Sequence, residues 1–302
     1  VRRNPPEPPR HLTADHGLPP SHPDYQLLQP IAADIFDRVG GSQDFGWHIA
    51  RLLRSAIDAV IDTRNTKRFT LAECEQPEKT SLGIKLEIAL RALLNLDRGD
   101  ILDANISGTE VDIKTTMTGN WMIPPEAINH VCLIVSEDED RELCSVGLFV
   151  AKESHLTASP NQDKKRSLSS VGRKNVWWLL KDYQYPHNVW KHINPEQRRR
   201  IMAPIDGTSR VVALFTELQG VPISRSMIND VGQQLDFTRR VRKNGGARDI
   251  FSPLGIAILS GTANRRLIAE LGLPLIGRGY WVSYKATDRD HIALLRAHGL
   301  ID

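Results

Sequence analysis

The sequence contains no apolar run approaching the roughly 20 residues that a membrane-spanning helix needs, which excludes a helical membrane protein. Cysteine is scarce: Cys74, Cys132 and Cys144 are odd in number and lack C-x-x-C spacing. A disulfide framework and the common zinc and dithiol motifs are therefore excluded, and a reducing compartment is expected. The opening Val-Arg-Arg-Asn-Pro-Pro-Glu places no apolar stretch behind its positive charges, so no secretory signal is expected there. There is no internal repeat. The histidines are scattered, so buried or surface roles are expected of them rather than a metal centre. What is present is ample: 302 residues, 40% hydrophobic and 25% charged, with six Trp, five Tyr and seven Phe, enough for two ordinary cores.

A formal net charge of +3 conceals an asymmetry. From residue 189 onward there are 17 basic and 10 acidic residues, against 22 and 26 before it. A basic C-terminal part suits a polyanion such as nucleic acid, although a solvated surface explains the charge equally well. Residues 1–26 are rich in proline and poor in large apolar side chains, which predicts a disordered arm. Apolar spacing of three and four over Ile49, Leu52, Leu53, Ala56, Ile57 and Val60 predicts one helix from about Asp34 to Asp62. A second helix, capped by Thr80 or Ser81, should run to Leu93. The period then changes to that of strands: Ile101–Ile106 and Thr109–Met117 read as a hairpin about Ser107-Gly108, followed by strands at His130–Ser136 and Leu143–Lys152. Residues 27–180 form the first domain of this reading, 181–188 a linker, and 189–302 a second domain.

The hairpin carries the chemistry. Along Thr109–Thr115, Val111, Ile113 and Thr115 face one way, while Glu110, Asp112 and Lys114 face the other. Asp103, placed on the partner strand, can bring its carboxylate to Asp112. Paired carboxylates repel, and a hard divalent cation such as Mg²⁺ resolves the repulsion. Such a cation polarises a phosphoryl oxygen and lowers the pKa of water, while Lys114 orients that water, a set suited to phosphodiester hydrolysis. Glu87, on the preceding helix, stands at the edge of the apolar stripe, where position alone admits either the hairpin or water.

In the C-terminal part, Val211, Val212, Leu214, Phe215 and Leu218 make an apolar helical stripe. Ser224 can cap a helix through Val231, and Asp236 a further one through Phe237 and Val241, which is the helix-turn-helix order of a DNA reader. Arg239, Arg240, Arg242, Lys243 and Arg248 crowd about Gly245-Gly246, a setting for phosphate contact that is also compatible with a glycine-capped helix end. Ile256–Leu259 and Tyr280–Tyr284 have strand character and suit a wing.

Several segments stand in an order and spacing that resemble the PD-(D/E)xK nuclease superfamily and, within it, the NaeI-type (type IIE) restriction endonucleases. They are Glu78-Lys79-Thr80 with Gly83 and Glu87, Asp103 to Lys114, Trp121 to Glu126, Arg240 to Arg242 with Gly245 to Arg248, and Gly272-Leu273-Pro274. The resemblance covers about residues 45 to 280. It implies an α+β fold: a nuclease-like mixed sheet flanked by helices, plus a second, winged helix-turn-helix-like DNA-binding domain. It places Glu87, Asp103, Asp112 and Lys114 on the catalytic positions, with Asp103, Asp112 and Glu87 holding Mg²⁺. It further implies a cytoplasmic bacterial homodimer cutting double-stranded DNA at a GC-rich palindrome, with a second DNA site as effector and no nucleotide cofactor. A DNA-binding regulator without cleavage, and a nuclease selective for modified or mismatched DNA, are the competing expectations.

Overall fold

A computed structural model describes residues 17–233, 236 and 238–302, and its internal contacts divide it into two units: residues 17–60 with 74–187, and residues 61–73 with 188–302. Residues 1–16 of the expected arm lie outside the described residues. Its last part is ordered: Leu18 and Asp24 are buried, Asp24 pairs with Lys152 at 2.6 Å, and Tyr25 stacks on Trp177 with ring centroids 5.4 Å apart.

In the first unit, α1 (Tyr25–Asp37) and α2 (Ser42–Ile61) replace the single helix expected over 34–62. The break falls at Gly40-Gly41, whose φ angles of +85° and +121° no helix admits. After the one-turn α3 (Thr63–Thr66), which belongs to the second unit, α4 runs from Gln76 to Leu93. It begins earlier than the cap expected at Thr80 or Ser81, because Glu75 and Glu78 form a reciprocal capping box. The hydroxyls of Thr80 and Ser81 instead donate back to the carbonyls of Gln76 and Glu78.

Next come β1 (Ala104–Ile106), β2 (Thr109–Thr116), β3 (Met122–Ile123), β4 (Val131–Asp138), β5 (Leu143–Val150), β6 (Arg166–Ser167), α5 (Ser170–Arg173) and β7 (Trp177–Gln184). The main sheet has the order β1-β2-β4-β5-β7 and is mixed, since β2 and β4 pair in parallel and the other neighbours antiparallel. The linker expected at 181–188 is in part sheet: Gln184 pairs with Leu143 across β7 and β5. Helix α4 approaches β2 from one side, where a Cβ on Gly83 would lie 2.8 Å from Thr115 Oγ1. On the other side Cys132, Ile134 and Phe149 pack with Trp121, Ile123, Leu156 and Leu168. Trp121 is a packing residue here, its indole N–H donating to the Val135 carbonyl at 2.9 Å.

The second unit contains α6 (Pro195–Met202), α7 (Gly207–Glu217), β8 (Ile223–Ser224), α8 (Arg225–Gly232), α9 (Thr238–Val241), α10 (Ala247–Phe251), β9 (Ile256–Ser260), α11 (Arg265–Glu270), β10 (Tyr280–Lys285) and α12 (Arg289–Ala297). Its sheet has the order β8-β10-β9, antiparallel throughout. Ser224 caps α8 as its sequence position predicts, accepting from Met227 N at 3.2 Å. Of the helix expected from Asp236, Phe237 lies outside the described residues and the described part is the four-residue α9. The core joins Val211, Leu214, Phe215, Ile228, Val231 and Phe251 to Phe69. Phe69 comes from the 61–73 segment, and its ring centroid stands 4.5 Å from that of Trp190. Among the described residues no helix is long and apolar enough to cross a membrane.

Candidate active site

Three of the four residues expected at the site converge at the open end of the β1–β2 ladder. Asp103 lies in a bend immediately before β1, not on the strand itself. Ala104 pairs with Val111, so the register, continued by one residue, sets Asp103 opposite Asp112. Beyond the end of β1 the amide of Ile113 has a side-chain acceptor: it donates to Asp103 Oδ2 at 2.8 Å. Lys114 Nζ stands 2.7 Å from Asp112 Oδ1 and 3.4 Å from Asp103 Oδ2, bridging the two acids.

Asp112 is only 3% exposed. Burial pushes its carboxyl up, Lys114 pulls it back, and the neighbouring Asp103 raises it again, leaving a pKa of about 6. Burial works against the Lys114 ammonium, but the two carboxylates outweigh it and raise its pKa. Cys132, level with Asp112 on β4, brings Sγ to 4.0 Å from Asp112 Oδ2. Burial, with Asp112 beside it, holds that thiol protonated far above its usual range, so it is a neutral neighbour rather than a thiolate ligand. Cys132 is a fully buried core residue, as its apolar surroundings in the sequence predict, and its parallel register with Asp112 is what brings it to the site.

Glu87 is not brought into this group by any described contact. Its Oε1 pairs with Arg91 Nη2 at 3.2 Å, one turn along α4. Gly83, one turn earlier on the same helical face, meets the side of β2 that carries Thr115, out of phase with Asp112 and Lys114.

A half-desolvated pair of carboxylates joined by one ammonium has surplus negative charge and oxygen donors only. That donor chemistry fits a hard divalent cation beside a group able to hold water or a phosphate. The family model for restriction endonuclease NaeI matches residues 40–291, which include the whole cluster. The chain belongs to the NaeI restriction endonuclease family. It is 34% identical over 254 residues to the type II restriction enzyme NaeI of Lentzea aerocolonigenes, an alignment covering 81% of this chain and 80% of that protein. Membership of the NaeI family makes the chain a type II restriction endonuclease, a site-specific deoxyribonuclease.

The NaeI-family match also spans the basic cluster of the second unit, which the structure divides. Arg239, Arg242 and Lys243 are exposed, Lys243 reaching the Gly299 carbonyl at 2.5 Å. Arg240 is turned inward, donating to Thr208 Oγ1 at 2.8 Å. Arg248 is half-buried, donates to the Ile258 carbonyl at 3.1 Å, and has its pKa lowered by desolvation. The Gly-Gly pair serves packing more than anion contact: Gly245 N already donates to Asp249 Oδ2 at 2.6 Å, and a Cβ on Gly246 would collide with the Arg242 backbone.

Proposed function

We propose that this chain hydrolyses double-stranded DNA with Mg²⁺ at the Asp103, Asp112 and Lys114 cluster. The reading is carried by the Lys114 ammonium held between two carboxylates, one of them buried. Asp103 and Asp112 would hold the cation; Glu87, paired with Arg91 on the face of α4 that meets the Thr115 side of β2, would join them only by moving off that face. Bound there, Mg²⁺ supplies charge neutralisation at the scissile phosphate and acidifies the attacking water. Lys114 orients that water for in-line attack and offsets the charge that develops on the phosphoryl oxygens. The products carry 5′-phosphate and 3′-hydroxyl ends.

The second unit acts as the winged helix-turn-helix-like DNA-binding domain. Support comes from the succession α7, β8, α8, α9 and α10, β9, β10 and from the strand order β8-β10-β9. Arg239, Arg242 and Lys243 contact phosphates, while Arg240 and Arg248 brace the element that presents them. A homodimer in the bacterial cytoplasm, a GC-rich palindromic target and a second DNA site as effector complete the reading.

Asp112→Ala should abolish cutting of plasmid in Mg²⁺ and leave DNA binding intact; parental cutting by this variant overturns the assignment. Incubating the parent with unmodified and methylated plasmid, with and without Mg²⁺, and mapping the ends tests the target. Binding without cleavage would instead identify a regulator, and cleavage of methylated DNA alone a modification-dependent nuclease.

A further inference from the structure

Asp103 is an unusual place to put a metal ligand. It precedes β1, so no ladder fixes its backbone, and it stands beside Asp112, whose like charge pushes it away. Ile101, two residues before it, is 71% exposed, while Leu102 beside it is buried and the Asp103 carboxylate accepts from the amide of Ile113. The backbone of the bend itself is tied by one side chain on β2. Glu110 Oε1 accepts from the amide of Asp100 at 2.8 Å, and Oε2 accepts from those of Ile101 at 3.2 Å and Leu102 at 2.8 Å. Three consecutive amides leading into Asp103 thus converge on one carboxylate, forming a small anion nest around it.

Two further observations show that the contact is built into the chain. Gly99, at the start of the bend, leaves the space that Glu110 Oε2 and the Leu102 carbonyl occupy; any Cβ there would collide with both. Glu110 also pairs in register with Asn105 on β1 and lies two residues before Asp112, on the same side of β2.

We infer that Glu110 is a positioning residue of the nuclease site, fixing Asp103 against Asp112 through the amides of residues 100–102. The inference rests on the reading of Asp103 and Asp112 as cation ligands. Side chains that orient ligands in this way typically change metal affinity by about ten- to a hundredfold when removed.

The experiment compares the full-length parent with E110Q, E110A and D112N. Mn²⁺ binding is read by electron paramagnetic resonance, DNA binding without metal by gel shift, cleavage at saturating and limiting Mg²⁺, and folding by thermal melting. E110A should weaken Mn²⁺ binding by about tenfold or more while keeping metal-free DNA binding, and excess Mg²⁺ should partly restore cleavage. E110Q, which keeps one acceptor oxygen, should fall between parent and E110A and decides the matter if E110A fails to fold. A variant that melts earlier but binds Mn²⁺ like the parent overturns the positioning role, leaving Glu110 as a loop support only. D112N should lose Mn²⁺ altogether. If D112N binds it unchanged, the cation site itself is refuted and the inference falls with it; if D112N loses Mn²⁺ and neither Glu110 variant weakens its binding, only the inference falls.

Discussion

Lys114 serves two acids at once, and that doubles what its removal should do. On the proposed mechanism, Lys114→Ala takes away the ammonium that would orient water, which is expected to cost about two to three orders of magnitude in single-turnover cleavage. It also removes the charge that holds the Asp112 pKa down. The pH at which half-maximal Mg²⁺ binding is lost should therefore move upward in Lys114→Ala. In the parent, Asp112 gains its proton as pH falls through about 6, so the Mg²⁺ concentration needed for half activity should rise below that pH, by up to about tenfold per unit. A metal titration at successive pH values reads both effects. Glu137 supplies a stability counterpart. Burial lifts its carboxyl to about 7, with the Tyr185 hydroxyl as its hydrogen-bond donor at 3.2 Å. An acid whose pKa is raised on folding stabilises the native state below its unfolded pKa, and that contribution is lost as pH rises through the folded value. The melting temperature of Glu137→Gln relative to the parent should accordingly climb from about pH 4.5 to about pH 7 and level off above it.

At the scale of elements, the site was legible where a strand's two-residue period governs it. Asp112 and Lys114 had to share a side of β2, and Cys132 follows once the parallel register is known. Asp103 was legible in kind but not in place: β1 begins at 104, not 101, and the amides of residues 100–102 turn to Glu110, a contact no local propensity encodes. The helix starts show the same limit. Gly40-Gly41 and the Glu75–Glu78 box moved boundaries that apolar spacing alone had set elsewhere. The basic cluster was legible as charge, while the inward turn of Arg240 and Arg248 depends on neighbours 32 and 10 residues away. That division is testable. Arg240→Ala and Arg248→Ala should each lower stability by about 1–3 kcal/mol, read by denaturant melts. Arg239→Ala and Arg242→Ala should leave the melt unchanged, weaken DNA binding and each reduce the salt slope by about one.

At the scale of the whole molecule, neither periodicity nor composition marked residues 61–73 as part of the C-terminal unit. The segment earns its place through Phe69, through Asn188 Nδ2 donating to the Phe69 carbonyl at 2.9 Å, and through Arg198, which pairs with Glu73 at 2.9 Å and lies over the Phe69 ring. Phe69→Ala should destabilise the second unit by about 3–5 kcal/mol, seen as a shift of its calorimetric transition. Residues 188–302 expressed alone should be poorly folded, because the aromatic that completes their core has been left behind.

Chain connectivity turns that borrowed phenylalanine into a fastener. Among the described residues the polypeptide passes between the units three times, at 60–61, 73–74 and 187–188. A protease that severs only the last crossing would yield two bands in detergent yet one particle in native buffer, because the released piece is still buttoned onto Phe69. Parting the halves of such a nicked protein would require melting a hydrophobic core, not merely cutting a tether.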